Sequence, residues 1–180
     1  GLGIRRILVA RDPGSAQYQR DASSSFEKVG DVKLQEGDRA GSRAAYEESL
    51  RFRRMLADRD PDSTVAQRNV TVVLNKFGDV LAKDGDAAGA RNAFEAGLET
   101  TRTLALRDPT NAQARRDLSF SLNRLGDLIA QQGDRAGARA AYEEVLAIRR
   151  TLVEWTPESA QALRDLATSL EKTGEVRRQD

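Results

Sequence analysis

The chain contains neither cysteine nor histidine. Without thiols there is no disulfide and no thiolate nucleophile; without imidazole there is no Ser-His or Cys-His pair, no histidine metal ligand and no ordinary near-neutral proton shuttle. Aromatic residues make up only 5% of the sequence, too few to stack along a single-stranded nucleic acid. Neither sign of charge dominates: 29 basic residues face 28 acidic ones, for a net charge of +1. No global field therefore attracts nucleic acid or an anionic membrane. No apolar run approaches the length of about 18 residues that a membrane span needs. The opening stretch GLGIRRILVARDP carries no cleavable signal pattern. The expected compartment is cytoplasmic, with an upstream targeting segment as the alternative because the chain reads as a piece of a longer one. Arginine far outnumbers lysine and alanine is abundant, as in proteins of GC-rich bacteria.

What the chain does have is repetition. Asp12-Pro13, Asp60-Pro61 and Asp108-Pro109 recur at a step of 48, and Thr156-Pro157 follows at the same step. Gly30, Gly78, Gly126 and Gly174 keep the period, as do Gly37, Gly85 and Gly133, and Tyr46, Phe94 and Tyr142. No insertion breaks the register, as a stack of like units requires, each offering its neighbour the same face. The array divides into a partial helix over 1–11, repeats over 12–59, 60–107 and 108–155, and a partial repeat over 156–180.

Within each period two apolar stripes have helical spacing. Ala114, Leu118, Leu122, Leu125 and Ile129 form one, and Ala141, Val145, Ile148 and Leu152 the other. Breakers separate them: QQGDRAG supplies Gly133 as a C-terminal cap and Asp134 as an N-cap, and DPTNA supplies Pro109 with Asn111 as the next N-cap. The pattern predicts helices A near 15–36, 63–84, 111–132 and 159–177. It predicts helices B near 39–58, 87–106 and 135–154, with residues 2–10 as the tail of an earlier helix B.

The inner spacing resembles the tetratricopeptide repeat, whose 34-residue unit has a glycine in helix A, then an alanine and an aromatic in helix B, and a proline after it. Gly126, Ala138 and Tyr142 match that spacing, as do Gly78, Ala90 and Phe94; Gly30 and Tyr46 match with Ser42 in the alanine position. The proline arrives late. One heptad added to the end of helix B and one to the start of helix A account for the longer period. Seven residues are close to two helical turns, so the insertions lengthen both helices and leave each side chain near its original face. The phrases LNKFGD and LNRLGD also resemble the lengthened repeats of kinesin light chains. The resemblance implies an all-α fold, a right-handed α-solenoid of antiparallel helix hairpins with lengthened helices.

Little else points to catalysis. GDRAG at 37–41 and 133–137 lacks the Lys-Ser/Thr and the preceding strand of a phosphate-binding loop, and DGDAAG lacks the ligand spacing of a calcium loop. Glu47-Glu48 and Glu143-Glu144 sit beside Arg43 and Arg139 at the spacing of surface ion pairs. No enzyme activity, cofactor or metal site is expected.

The resemblance implies instead a binding scaffold whose A helices line a concave groove, with Ser24, Glu27 and Asp31, then Val72, Asn75 and Asp79, then Phe120, Asn123 and Asp127, then Thr168, Glu171 and Glu175 facing it. Independently, a helical step of 100° per residue brings residues 20, 24, 27 and 31 into one narrow stripe. The added heptad thus contributes Arg20, Arg68, Arg116 and Arg164, and a neighbouring row holds Lys28, Lys76, Arg124 and Lys172. The candidate peptide-binding residues are Arg68, Val72, Asn75, Lys76, Asp79, Arg116, Phe120, Asn123, Arg124 and Asp127. Arginine forks suit carboxylates, Asn75 and Asn123 suit an extended backbone, and Phe120 suits an anchor. The expected ligand is an extended acidic segment of a protein partner. Glu27 with Asp31, where the family's carboxylate clamp has Lys and Asn, sets this chain apart from a chaperone-tail clamp. Two alternatives stand beside this one: the basic and acidic rows neutralise each other with Phe120 packed between helices, or the array is a spacer that self-associates end to end within a larger bacterial signalling protein. Trp155, in the place of Arg11, Arg59 and Arg107, either packs under its loop or makes an outside contact.

Overall fold

The computed structural model describes residues 2–178, and the described residues form helices and turns with no strand. The helices are α1 (Leu2–Arg11), α2 (Ala16–Gln35), α3 (Arg39–Arg59), α4 (Thr64–Lys83), α5 (Ala87–Arg107), α6 (Ala112–Gln131), α7 (Arg135–Trp155) and α8 (Ala160–Arg178). Each predicted helix end falls within one residue of the observed one. The agreement reflects strong punctuation, because two different turns alternate along the chain.

The tight turn joins helix A to helix B. Gly37, Gly85 and Gly133 have φ of 80°, 82° and 83°, the left-handed region that glycine enters without a Cβ penalty. The chain then enters helix B on an aspartate: the carboxylates of Asp38, Asp86 and Asp134 accept from the amides of Gly41, Gly89 and Gly137 at 2.8, 2.9 and 2.8 Å. The Asp-Pro turn joins helix B to the next helix A, which starts on Ser15, Ser63 or Asn111, each accepting from the amide three residues on.

The chain divides into two compact units, residues 1–97 and 98–180. In the first, α1 packs on α2, α2 on α3 and α3 on α4. Its core gathers Tyr46, Leu50, Ala57, Val70, Val73, Leu74, Val80 and Ala93, with a second cluster in which Phe26 and Phe52 stack at 6.0 Å. In the second, α6 packs on α7 and α7 on α8 around Leu98, Leu122, Val145, Ile148 and Leu152. The periodic glycine of helix A lets the aromatic ring of its own helix B lie against bare backbone: a Cβ on Gly30 would stand 2.6 Å from the Tyr46 ring. Ser42 is wholly buried beside this contact and donates its hydroxyl to the Gly30 carbonyl at 2.9 Å, so the serine in the alanine position gains a bond that alanine lacks. Among the described residues no helix is long and apolar enough to cross a membrane.

Candidate functional site

The stripe predicted on helix A is mostly half-buried on α2, α4 and α6 and exposed on α8, and its acids Asp31 and Asp127 are answered within the chain. In the first unit, Lys76 of α4 donates to Glu27 at 2.8 Å and to both oxygens of Asp31 at 2.9 Å. Asp31 also accepts from the Tyr46 hydroxyl at 2.6 Å. Burial opposes the charge on Lys76, yet its hydrogen bonds to Glu27 and Asp31 carry its pKa above the ordinary lysine value. The Tyr46 phenol is pushed up first by burial and then by the Asp31 carboxylate that accepts its proton.

The second unit repeats the arrangement. Asp127 accepts from the Tyr142 hydroxyl at 2.8 Å and from Lys172 of the next helix A, and it also accepts from the Asn123 amide at 3.1 Å. Burial and Asp127 raise the Tyr142 phenol in the same way. The acid of helix A is therefore a junction between its own helix B and the following helix A. The composition of each stripe suggested a ligand-facing acid; the structure gives Asp31 and Asp127 an inter-repeat bonding role. Lys76 and Lys172, placed in a basic row by sequence, supply the other half of that bond.

The remaining candidates fall as follows. On α4, Arg68, Val72, Asn75 and Asp79 are half-buried. On α6, Arg116 donates through Nε to Asp165 of α8 at 3.0 Å, Asn123 and Arg124 are half-buried, and Phe120 is 44% exposed. Arg116, Phe120, Asn123 and Asp127 thus share one stripe of α6, and Phe120 is its apolar, uncovered member. Phe120, which the alternative reading packs between helices, leaves nearly half of its surface uncovered. Trp155 is 42% exposed, with the Arg115 guanidinium 4.9 Å over its ring; one face is covered by that cation, so the ring is not buried under its loop.

One set of residues escaped the sequence reading. Arg149 of α7 is buried, donating to Ser119 at 3.4 Å, to the Asp165 carbonyl at 2.7 Å and to Ser169 at 2.8 Å. Burial lowers its pKa from the ordinary arginine value. Arg53, two periods earlier, reaches Ser24 at 3.2 Å and Glu27 at 3.5 Å. Both lie in the C-terminal half of helix B, on the face turned toward helix A. Arg5, Arg53 and Arg149 hold one place in the period, with Thr101 at the remaining one; that recurrence was the available signal, since an arginine on an apolar face seeks a buried partner.

A second surface feature lies in the first unit, on the B-helix side. A groove of about 690 Å³ runs between α3 and α5 with Leu50, Leu74, Phe77 and Ala93 in its floor and Arg43, Glu47, Arg51 and Asp58 on its walls.

Residues 121–158 match the family model of a tetratricopeptide repeat. No curated protein matches the chain. Among solved structures, it is similar to the Sgt2 TPR domain from Aspergillus fumigatus (19% identity over 87% of this chain and 82% of that one, TM-score 0.47). It is also similar to BtubC (BKLC) from P. vanneervenii (15% identity, 98% and 81%, TM-score 0.46) and to the de novo designed helical repeat protein DHR64 (14% identity, 96% and 88%, TM-score 0.41).

Proposed function

From a chain built of tetratricopeptide-like repeats, we propose a non-catalytic protein-binding scaffold that holds an extended, acidic segment of its partner along the A helices. The observation that carries this reading is Phe120. It sits on the polar stripe of α6, 44% exposed, between an arginine and an asparagine of the same face. An aromatic ring left uncovered amid hydrogen-bonding groups is the combination found at the centre of peptide sites, where the ring supplies area and the rim supplies register. Covering the exposed part of one phenylalanine is worth roughly 1 kcal/mol.

The acidic character of the ligand follows from which charges remain. Lys76 and Lys172 of the second row are held by acids of the preceding repeat, so they offer a ligand little. Arg20 and Lys28 are exposed and pair with no acid among the described residues. Two uncompensated cations on the helix A face favour a segment carrying carboxylates.

The test is a capture experiment on three proteins of equal helicity by circular dichroism: the parent, Phe120→Ser, and Ala147→Glu on the exposed side of α7. Partners held by the parent and by Ala147→Glu but lost by Phe120→Ser support the A-helix site. Equal retention by Phe120→Ser together with loss by Ala147→Glu moves the site to the B helices. Assemblies that grow with concentration in the absence of any partner point to self-association instead.

A further inference from the structure

We propose that the pocket at the Asp-Pro end of α2, α3 and α4 is a carboxylate subsite, taking the side chain of an Asp or Glu of the bound segment onto Arg20 and Arg53. The inference rests on the scaffold reading above and names where one acid of that segment sits.

The chain supplies its own reference. In the second unit the equivalent corner is closed by an internal acid: Arg116 donates to the Asp165 carboxylate at 3.0 Å, and Arg149 donates to the Asp165 carbonyl at 2.7 Å and to Ser169 at 2.8 Å. At the start of the chain, Arg5 donates to the Asp21 carbonyl at 3.3 Å and Ser25 to the same oxygen at 2.8 Å. Asp21, Asp117 and Asp165 hold one place in the period, and Ser25, Ser121 and Ser169 another. The exception is the corner between them, where Asn69 stands for the acid and Val73 for the serine.

The two exchanges leave the arginines of this corner without the partners their counterparts have. Arg53 turns back to Ser24 and Glu27 of α2, and its Nε is buried with no acceptor. Arg20, the counterpart of Arg116, is exposed and makes no ion pair among the described residues. A neutral amide at Asn69 cannot answer a guanidinium as Asp165 does, and Val73 has no polar atom to offer.

Between these residues lies a cavity of about 220 Å³. Arg20, Arg53 and Arg59 line it against one carboxylate, Asp60, and the first turn of α4 forms part of its wall. Arg59 already donates to the Gly14 carbonyl at 2.7 Å, which holds it in place. The positive excess and the helix start both favour an anion. Leu56 and Val65 supply apolar wall for the methylene groups of an acidic side chain, and Val65 is 69% exposed. A carboxylate entering here would occupy the role that Asp165 plays in the second unit.

The experiment follows the arginine Nε–H signals and the Phe120 ring signals by NMR in the whole chain during titration with a blocked Gly-Glu-Gly-Glu-Gly peptide. Its glutamine counterpart and inorganic phosphate serve as controls. The glutamate peptide is expected to shift the Arg20 and Arg53 signals saturably, and the glutamine peptide to leave them unmoved. Asn69→Asp, which restores the arrangement seen at Asp165, is expected to keep the helicity and weaken the response at least tenfold. Arg20→Gln, at an exposed position, is expected to weaken it similarly. An undiminished response in both variants overturns the subsite. Peptide-induced shifts at Phe120 with Arg20 and Arg53 silent overturn the subsite and leave the groove reading standing, whereas silence at all of these positions overturns both. Shifts of the two arginines with phosphate and not with the peptide overturn it in favour of a small-anion site.

Discussion

Alanine in place of the periodic glycine of helix A should have three different effects at its four positions, in an order the structure sets. At Gly78 an added Cβ would lie 2.5 Å from Cε1 and 2.7 Å from Cδ1 of Phe94; at Gly30 it would lie 2.6 Å from Cε1 of Tyr46. At Gly126 the nearest atoms are Tyr142 Cε1 at 3.0 Å and Ala141 Cβ at 3.2 Å, and at Gly174 nothing lies within 4 Å. Carbon atoms prefer separations of about 3.5–4.0 Å, so at Gly78 and Gly30 a ring must retreat by roughly 1 Å. Tyr46 and Phe94 are 1% and 2% exposed, and a ring packed that tightly cannot retreat without moving its neighbours. Overpacking of this kind costs about 1–3 kcal/mol, while alanine returns about 1 kcal/mol of helix propensity over glycine. For these wholly buried rings the upper part of that range, about 2–3 kcal/mol, leaves a loss of about 1–2 kcal/mol at Gly78 and Gly30; the balance is about zero at Gly126 and a gain of about 1 kcal/mol at Gly174. Urea unfolding followed by circular dichroism, with the slope unchanged between variants, reads these differences as shifts in midpoint. Trimming the ring with Phe94→Leu should lower the cost of Gly78→Ala, because the two sites touch. If Gly78→Ala proved as stable as the parent, or Gly174→Ala were the most damaging of the four, the packing argument would be wrong.

Three other outcomes are expected. Tyr46→Phe removes the hydroxyl that donates to Asp31 and should cost about 1 kcal/mol in urea unfolding, with no change in helicity, since Phe94 holds the same place one repeat on. Lys76→Met should cost no more than about 1 kcal/mol, because a third of that side chain is exposed and solvent screens the pair. A double-mutant cycle with Asp31→Asn should show a coupling that shrinks as sodium chloride is raised. The alkaline limb of stability should be set by groups whose pKa rises on folding: the Tyr46 and Tyr142 phenols, raised chiefly by burial, and the Lys76 ammonium, raised by its acids. A group that holds its proton more tightly in the folded state stabilises fully below its unfolded pKa. Stability should thus be intact below a pH of about 10 and fall as pH rises through the folded values. The Tyr46→Phe, Tyr142→Phe double variant should lose less between pH 10 and 12 in thermal melts.

The helices were legible because their ends are written in residues whose effect is local. Gly37, Gly85 and Gly133 terminate helix A through a backbone angle that their own lack of a Cβ permits, and Asp38 and Asp134 start helix B through a carboxylate reaching three residues on. The stripe of the candidate site was legible for the same reason, since residues 116, 120, 123 and 127 share a face on any helix. What each member does was not. Asp31 and Asp127 read as ligand-facing acids, and their bonds to Lys76 and Lys172 span a repeat, a relation that depends on how one hairpin packs on the next.

By itself, then, the sequence determined the period, the hairpins and their caps, together with the absence of the thiol and imidazole chemistry that cysteine and histidine would bring, because these depend on residue type and near neighbours. Tertiary packing decided which charges are answered and which are left over. Arg116 and Arg20 occupy the same place in the period, and only the packed structure shows one paired with Asp165 and the other exposed beside Asn69. An ion pair is a property of two side chains brought within a few ångströms, and residues about a period apart along the chain come that close only once the helices have stacked.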